Sequence, residues 1–189
     1  MNDSSSAQRK SLIFLTGFMG SGKTTIGPIL ANSLGFDFID VDKFIERKAH
    51  KEVVEIFRSE GEQAFRTLER LSLRELSERK RSVIALGGGT IANEENLRLV
   101  SQKGILIYLK LSPEEILQRV QHRSDRPMLK DDNGNPLSPP ELDQRIRDLL
   151  ARREPFYSRA DVTIAADAQR VGKTVDEIMK TIRAMIDDE

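Results

Sequence analysis

Cysteine is absent from the 189 residues of the chain. Its absence excludes disulfide bridges, thiolate zinc sites and cysteine nucleophiles, and it is compatible with a reducing compartment. The sequence also lacks any run of about 18 apolar residues, the length that a membrane-spanning helix requires. Residues 1–10 contain no apolar segment of signal-peptide length. We therefore expect a cytoplasmic protein that has no membrane partner.

An excess of charge of one sign is absent as well, because 30 Lys and Arg residues balance 30 Asp and Glu residues. Such a chain has no overall positive field that would attract nucleic acid, so we expect no nucleic-acid partner. Any anionic ligand must be recognised by a local site. Charged residues make up 32% of the chain and hydrophobic residues 38%, as in globular proteins, and the length suits one domain.

Apolar runs alternate with helical periodicities along the chain. Short apolar or alternating segments predict five strands at 11–16, 36–41, 82–86, 104–111 and 161–165. Apolar residues at helical spacing predict helices at 25–34, 43–76 with an interruption near Gly61, 93–101, from 113 onward, and 174–186. This alternation predicts an α/β fold, a three-layer sandwich with a central five-stranded parallel sheet. Ligands of such folds bind outside the carboxyl ends of the strands.

Residues 17–24, GFMGSGKT, match the pattern G-x-x-x-x-G-K-[ST] between the first predicted strand and the first predicted helix. Glycines let the N–H groups of such a loop surround a phosphate, and the helix N-terminus adds a positive dipole. The residues that we assign to nucleotide binding here are Gly20, Ser21, Gly22, Lys23, Thr24 and Thr25. Lys23 is expected to reach the β- and γ-phosphates, and the Thr24 hydroxyl to bind Mg²⁺. A simple connecting turn is the alternative. ATP is expected rather than GTP, because the sequence has no N-K-x-D segment.

Two aspartates, Asp40 and Asp42, lie at the end of the second predicted strand. Alternation along a strand would place both side chains on the same face. One could then serve a metal ion and the other an acceptor hydroxyl. The alternative interpretation is that strand-end aspartates cap the following helix.

Six motifs occur in the order that is typical of one enzyme family, and they extend from about Leu12 to the C-terminus. The motifs are 17–24, Asp40-Val41-Asp42, 61–69 in the pattern G-E-x-x-F-R-x-x-E, Gly87-Gly88-Gly89, Arg126-Pro127-Met128-Leu129 and Arg153-Glu154-Pro155-Phe156-Tyr157. On these residues the chain resembles the shikimate kinases, small-molecule kinases with a P-loop and a nucleoside-monophosphate-kinase-like fold. The resemblance implies transfer of the γ-phosphoryl group of ATP to the 3-hydroxyl of shikimate, with Mg²⁺ as cofactor and a monomeric enzyme.

The resemblance also implies roles for individual residues at the acceptor site. Asp42 would bind the hydroxyls of shikimate and take the proton, whereas Asp40 would belong to the magnesium site with Thr24. Arg66 and Arg153 would bind the carboxylate, a pairing that suits bidentate guanidinium groups. The substrate-binding glycines would be Gly87, Gly88 and Gly89, with Gly88 against shikimate, and Glu69 would brace Arg66. The alternatives are a tight strand exit for the glycines and an ordinary surface pair for Arg66 and Glu69.

A proline-rich segment at 124–140 contains four of the seven prolines and predicts a long surface loop. We expect a flexible N-terminal segment at 1–10 and one P-loop kinase domain at 11–189, with a lid loop at about 122–140. Arg126 in this lid would be catalytic together with Lys23 and Asp42, and would also bind ATP by closing over the phosphates. The alternative for Arg126 is a solvated loop arginine. By resemblance, Gln169 lies in the adenine-contacting segment.

Two other functions remain open at this point. The chain could be another small-molecule P-loop kinase, of the gluconate or nucleoside monophosphate type, although the glycine triplet, Arg66 and Arg153 argue against it. It could also be a shikimate-kinase-like binding or regulatory protein that has lost catalysis. The presence of Lys23, Asp40, Asp42 and Arg126 argues against that loss.

Overall fold

The computed structural model describes residues 10–120, 129, 135–166 and 170–186. Within these residues the chain forms five strands and seven helices. The strands are β1 (Leu12–Thr16), β2 (Asp37–Asp40), β3 (Ser82–Ala85), β4 (Ile105–Lys110) and β5 (Val162–Ala165). The helices are α1 (Lys23–Leu34), α2 (Val41–Ala49), α3 (Val53–Leu76), α4 (Glu94–Lys103), α5 (Pro113–Val120), α6 (Pro139–Tyr157) and α7 (Val171–Ile182).

The five strands form one sheet in the order β2-β3-β1-β4-β5, and every neighbouring pair is parallel. Phe14 in the central strand β1 lies opposite Ile84 of β3 and Leu106 of β4. From β1 the chain crosses to β2 at one edge of the sheet, whereas from β3 it crosses to β4 on the other side of β1. The strand order therefore reverses between β3 and β1, and ligands of open α/β sheets bind at such a point. The predicted α/β fold with a five-stranded parallel sheet is confirmed.

Side chains of β1 alternate between two separate hydrophobic clusters, one on each face of the sheet. Ile13 and Leu15 belong to the first cluster, which α1, α5, α6 and α7 cover. Leu12 and Phe14 belong to the second, which α2, α3 and α4 cover. Both faces are therefore buried, as the apolar character of the strands requires, and the molecule has the three predicted layers. Tyr157, at the end of α6, packs in the second cluster, so α6 contributes to both faces.

The prediction that Asp40 and Asp42 lie on one strand is wrong. Strand β2 ends at Asp40, and Val41 and Asp42 are already in the first turn of α2. The cause is a capping interaction, because the Asp40 side chain accepts a hydrogen bond from the backbone N–H of Lys43 at 3.1 Å. The interpretation of a strand-end aspartate as a helix cap is thus correct for Asp40.

Other element boundaries differ by a few residues from the sequence prediction. Helix α1 begins at Lys23 rather than at residue 25, because Gly22, with φ 94°, starts it from within the glycine-rich loop. Helix α7 ends at Ile182, and Ile186 instead forms a parallel bridge with Lys10. The predicted interruption of α3 is confirmed at Gly61, whose φ of 82° and ψ of 171° are not helical.

The proline-rich segment ends earlier than predicted, because α6 begins at Pro139. Proline suits the first helical turn, where its missing N–H would have no partner. Leu129 is buried in the first hydrophobic cluster and Leu137 packs against it. Most of the predicted lid lies outside the described residues. No helix in the described part of the chain is long and apolar enough to cross a membrane.

Candidate active site

The glycine-rich loop connects β1 to α1 and passes close to the end of β4. A Cβ atom built on Gly17, which has φ 140°, would lie 2.5 Å from the carbonyl oxygen of Leu109. Only glycine fits this position, both for its conformation and for its contact with the neighbouring strand. The loop then turns through a hydrogen bond from Ser21 N to Phe18 O at 3.1 Å and delivers the N-terminus of α1. Such a helix start is an anion-binding structure.

Lys23 lies at the start of α1 with its ammonium group over the loop. Nζ donates to the carbonyl oxygens of Gly17 at 2.7 Å and Phe18 at 3.1 Å. From this position the ammonium group is within reach of phosphates that the loop would bind.

A cavity of about 340 Å³ lies above this loop. The six residues of the loop and first helical turn that were predicted to bind nucleotide, 20–25, all line it, as do Asp40 and Asp42. The far wall consists of Leu86, Gly87, Gly88, Arg119, Ala166 and Val171. The cavity therefore joins the carboxyl ends of several strands, where the fold predicts a ligand site.

The glycine triplet at 87–89 follows β3, and each glycine lies against a different functional side chain. None of the three has a left-handed backbone conformation, so close approach rather than conformational freedom requires glycine here. A Cβ atom built on Gly87 would lie 3.2 Å from Asp42 Oδ1. On Gly88 it would lie 3.2 Å from Arg153 Nη1, and on Gly89 it would lie 3.0 Å from Arg66 Nη1. Larger residues would displace these groups.

Arg66 is held by two carboxylates of its own helix, α3. Its Nη1 donates to Glu69 at 2.9 Å, and its Nε and Nη2 donate to Glu62 at 3.2 and 3.0 Å. Burial alone would lower the pKa of Arg66, but the two carboxylates outweigh this effect and raise the pKa above its usual value. The guanidinium group is therefore a permanent cation.

Glu69 is not an ordinary surface acid, since it is only 1% exposed. One of its oxygens accepts from Arg66 and the other accepts from the Thr90 hydroxyl at 2.6 Å. A buried carboxylate with both oxygens occupied fixes the orientation of its arginine partner. The alternative of a simple surface pair is therefore wrong for Arg66 and Glu69.

Arg153 reaches the same region from α6. It is 6% exposed, and its guanidinium group lies 5.5 Å from the centre of the Phe18 ring, in a cation–π arrangement. Burial of an arginine against an aromatic face gives it a fixed position at low entropic cost.

A second cavity, of about 80 Å³, adjoins the first and is called the acceptor pocket below. Asp42, Arg66 and Arg153 all line it. Its remaining lining residues are Met19, Val53, Phe57, Phe65, Glu69, Gly87, Gly88 and Gly89. Met19, Asp42, Gly87 and Gly88 line both cavities, so the nucleotide cavity and the acceptor pocket meet at these residues.

Three residues of this region were not predicted from the sequence. Arg119 on α5 lines the nucleotide cavity and donates to the carbonyl oxygens of Gly20 at 2.9 Å and Ala166 at 3.2 Å. Thr90 holds Glu69, and Tyr157 donates a hydrogen bond to the carbonyl oxygen of Gly88. Thr90 directly follows the glycine triplet, and Tyr157 is the last residue of the motif that contains Arg153. These positions in the sequence were the signals that could have identified the two residues.

Two predicted residues, Arg126 and Gln169, lie outside the described residues. In the described part of the chain no group of three or more His, Cys, Asp or Glu side chains could hold a metal ion.

Comparison with known proteins identifies the family. The sequence model named "Shikimate kinase" matches residues 19–183. The shikimate kinase of Chlorobium limicola is 50% identical over 172 residues, which cover 91% of this chain and 86% of that protein. The chain belongs to the shikimate kinase family. It is accordingly a P-loop transferase and an ATP-dependent kinase.

Further relatives and solved structures agree with this membership. The shikimate kinase of Chlorobaculum tepidum is 49% identical over 176 residues, covering 93% of this chain and 92% of that protein. The structure of shikimate kinase from Acinetobacter baumannii in complex with shikimate has a TM-score of 0.84 at 39% identity. It covers 93% of this chain and 94% of that chain.

A gluconokinase from Sinorhizobium meliloti also resembles the structure, with a TM-score of 0.56 at 16% identity over 93% of this chain and 94% of that chain. At this identity the likeness shows a shared fold alone. It gives no support to the alternative of a gluconate kinase.

Proposed function

We propose that the chain transfers the γ-phosphoryl group of ATP to the 3-hydroxyl of shikimate, yielding shikimate 3-phosphate and ADP. The observation that carries this proposal is the meeting of the two cavities at Asp42 and Gly88. One cavity lies above a phosphate-binding loop, and the other presents two arginines and one aspartate. A small cyclic acid with hydroxyl groups matches that combination of charges.

The acceptor would be oriented by opposite ends of its pocket. Arg66 and Arg153 would pair with the carboxylate, and the Asp42 carboxylate would accept hydrogen bonds from the hydroxyls at the boundary with the nucleotide cavity. This orientation directs the reacting hydroxyl towards the phosphate loop, and fixed orientation is a large part of the rate enhancement of a bimolecular reaction.

In the transfer step the hydroxyl oxygen bonds to the γ-phosphorus as the bond between that phosphorus and the β–γ bridging oxygen breaks. The hydroxyl proton passes to Asp42, and ADP leaves with the electron pair of the broken bond. Lys23 and the N–H groups at the start of α1 would stabilise the charge on the phosphates. The protein's contribution is therefore positioning and neutralisation of charge.

We propose Mg²⁺ as the cofactor, held by Thr24 and Asp40. Both residues line the nucleotide cavity, and hydroxyl and carboxylate oxygens are the ligands that Mg²⁺ prefers. Asp40 caps α2 through Oδ1, and a carboxylate that caps a helix with one oxygen keeps acceptor capacity at the other. When bound, Mg²⁺ supplies charge neutralisation at the transferred phosphoryl group.

We propose that Arg126 closes over the phosphates, that Gln169 contacts adenine, and that 11–189 form one kinase domain. The flexible segment expected at 1–10 is proposed for 1–9 only, because Lys10 forms a bridge with Ile186. We propose a cytoplasmic monomer whose small-molecule partners are ATP or ADP and shikimate. Sedimentation at micromolar concentration tests the monomer, since a dimer would sediment at twice the mass.

A coupled assay of ADP release tests the function. Shikimate should support turnover, whereas gluconate and nucleoside monophosphates should not. Omission of Mg²⁺ should abolish the reaction. If no shikimate-dependent ADP is released while another acceptor supports turnover, the proposed acceptor is wrong.

Calorimetry separates binding from catalysis. Shikimate should bind, and its affinity should depend on ADP because the two cavities share four residues. Binding of both ligands without turnover would instead favour the non-catalytic alternative.

A further inference from the structure

Tyr157 lies one helical turn after Arg153 in α6, and both side chains approach Gly88. The Tyr157 hydroxyl donates a hydrogen bond to the Gly88 carbonyl oxygen. Arg153 Nη1 lies 3.2 Å from the position that a Cβ atom on Gly88 would occupy. Residues four apart share one face of a helix, so a single face of α6 contacts the middle glycine at two points.

The Tyr157 ring is fully buried and has a fixed neighbour. It packs on the ring of Tyr108, with 4.9 Å between the ring centres. The Tyr108 hydroxyl points elsewhere, donating to Glu154 Oε2 at 2.7 Å. A buried phenol needs hydrogen-bond partners, and the Tyr157 hydroxyl has two: it donates to the Gly88 carbonyl oxygen, and the Arg153 guanidinium group donates to it.

The peptide that receives this hydrogen bond forms part of both walls of the site. Gly88 lines the nucleotide cavity and the acceptor pocket. The Gly88 carbonyl and the Gly89 N–H belong to one peptide unit, so a donor at the carbonyl fixes the plane of that unit and strengthens its N–H as a donor. A glycine turn has no side chain that could supply this restraint.

We infer that Tyr157 is a positioning residue for the acceptor pocket, an inference that rests on the proposed function. Its hydroxyl holds the Gly88 peptide at a constant separation from Arg153, so that the carboxylate-binding and hydroxyl-binding parts of the pocket are preorganised. Tyr157 is not among the residues that line the pocket and therefore acts through Gly88 and Arg153 rather than on the acceptor.

The substitution Tyr157→Phe tests this role, because it removes the hydroxyl and keeps the packed ring. We expect the KM for shikimate to rise about tenfold, the effect of leaving one buried acceptor without its donor. The changes in kcat and in the Kd for ADP should be smaller, because Gly88 is one of many residues that line the nucleotide cavity. Tyr108→Phe is the matched control: it removes the other hydroxyl of the same ring pair and should leave the KM for shikimate unchanged.

A spectroscopic measurement in the control variant provides a second test. The chain has two tyrosines and no tryptophan, so Tyr157 is the sole near-ultraviolet phenol of the Tyr108→Phe variant. Addition of shikimate should perturb its absorption band, whereas gluconate should not. This measurement decides the question even if Tyr157→Phe does not fold.

Each outcome separates this inference from the proposed function. Shikimate-dependent turnover with an unchanged KM in Tyr157→Phe overturns the positioning role alone. Equal effects of the two Tyr→Phe substitutions overturn it too, since they would report only the ring pair. An absorption band of Tyr157 that does not change on saturation with shikimate also overturns the positioning role. Failure of the unaltered chain to bind shikimate overturns both.

Discussion

Gly89 and Arg66 approach so closely that a Cβ atom built on the glycine would lie 3.0 Å from both Nη1 and Nη2 of the guanidinium group. Arg66 has little room to retreat, because Glu62 and Glu69 hold it from the side of α3. Gly89 therefore shapes the acceptor pocket because it has no side chain. A methyl group at this position would press on the cation that is proposed to bind the carboxylate.

The substitution Gly89→Ala is expected to displace Arg66 and weaken acceptor binding. The KM for shikimate should rise at least tenfold, since a displaced charge-assisted pair loses on the order of 1.5–3 kcal/mol. Nucleotide affinity should change little, because Gly89 does not line the nucleotide cavity. Steady-state kinetics with each substrate varied in turn would check both statements.

Gly172→Ala is the matched control for this prediction. Gly172 is in α7, and a Cβ atom built there has no other atom within 4 Å. Alanine favours a helix over glycine by roughly 0.5–1 kcal/mol, so this variant should be as stable as the unaltered chain or slightly more stable. A loss of shikimate affinity in both variants would mean that the close approach of Gly89 and Arg66 is not the cause.

Asp42 should be required for turnover but not for nucleotide binding. Asp42→Asn preserves size and removes the proton acceptor, so kcat should fall by about 10²–10⁴. The Kd for ADP, measured by calorimetry, should stay within a few-fold of its original value. Asp37→Asn, at the exposed amino end of β2, is the control and should retain full activity. Near-normal turnover of Asp42→Asn would show that another group takes the proton.

The sequence predicts those parts of this site that depend on contiguous residues. The loop around Lys23, the strands that precede it and the glycine triplet at 87–89 follow from local patterns, and the fold follows from their alternation. Arg66 and Glu69 are three residues apart on one helix, so their contact was also foreseeable. Asp42 was assigned to the wrong element, because the capping of α2 by Asp40 decides where β2 ends.

Contacts between distant segments could not be predicted in this way. The Arg119 hydrogen bond to Gly20 joins residues 99 positions apart, and that of Tyr157 to Gly88 joins residues 69 apart. Neither arginine nor tyrosine in a helix has a local pattern that indicates its partner. Only the packing of α5 and α6 against the sheet brings these pairs together.

Arg119 should contribute to nucleotide binding by holding the cavity wall together. Its two hydrogen bonds connect the phosphate loop at Gly20 to the end of β5 at Ala166. In Arg119→Ala we expect the Kd for ADP to rise about tenfold, which corresponds to about 1.4 kcal/mol. Binding of shikimate without nucleotide should be unaffected, because Arg119 does not line the acceptor pocket. Arg145→Ala, at an exposed position of α6, should change neither affinity; equal losses in the two variants would contradict this role.

The stability of the fold should decrease in alkaline solution partly because of Tyr157. Burial raises the pKa of this phenol to about 12, while the Arg153 guanidinium opposes the shift and the Glu154 carboxylate adds to it. An unfolded tyrosine ionises near pH 10. Below about pH 10 the phenol is protonated in both states, and its contribution to the free energy of unfolding is fully present. Between about pH 10 and 12 the unfolded chain loses the proton first, so the free energy of unfolding falls.

Denaturant unfolding at pH 9 and pH 11.5 would measure this effect. Ionisation of Tyr157 should account for a loss of about 2 kcal/mol over this range. In Tyr157→Phe the loss should be smaller by that amount, whereas the contributions of Lys, Arg and Tyr108 are present in both chains and cancel in the comparison. An equal decrease in the two proteins would mean that burial does not raise the pKa of the Tyr157 phenol.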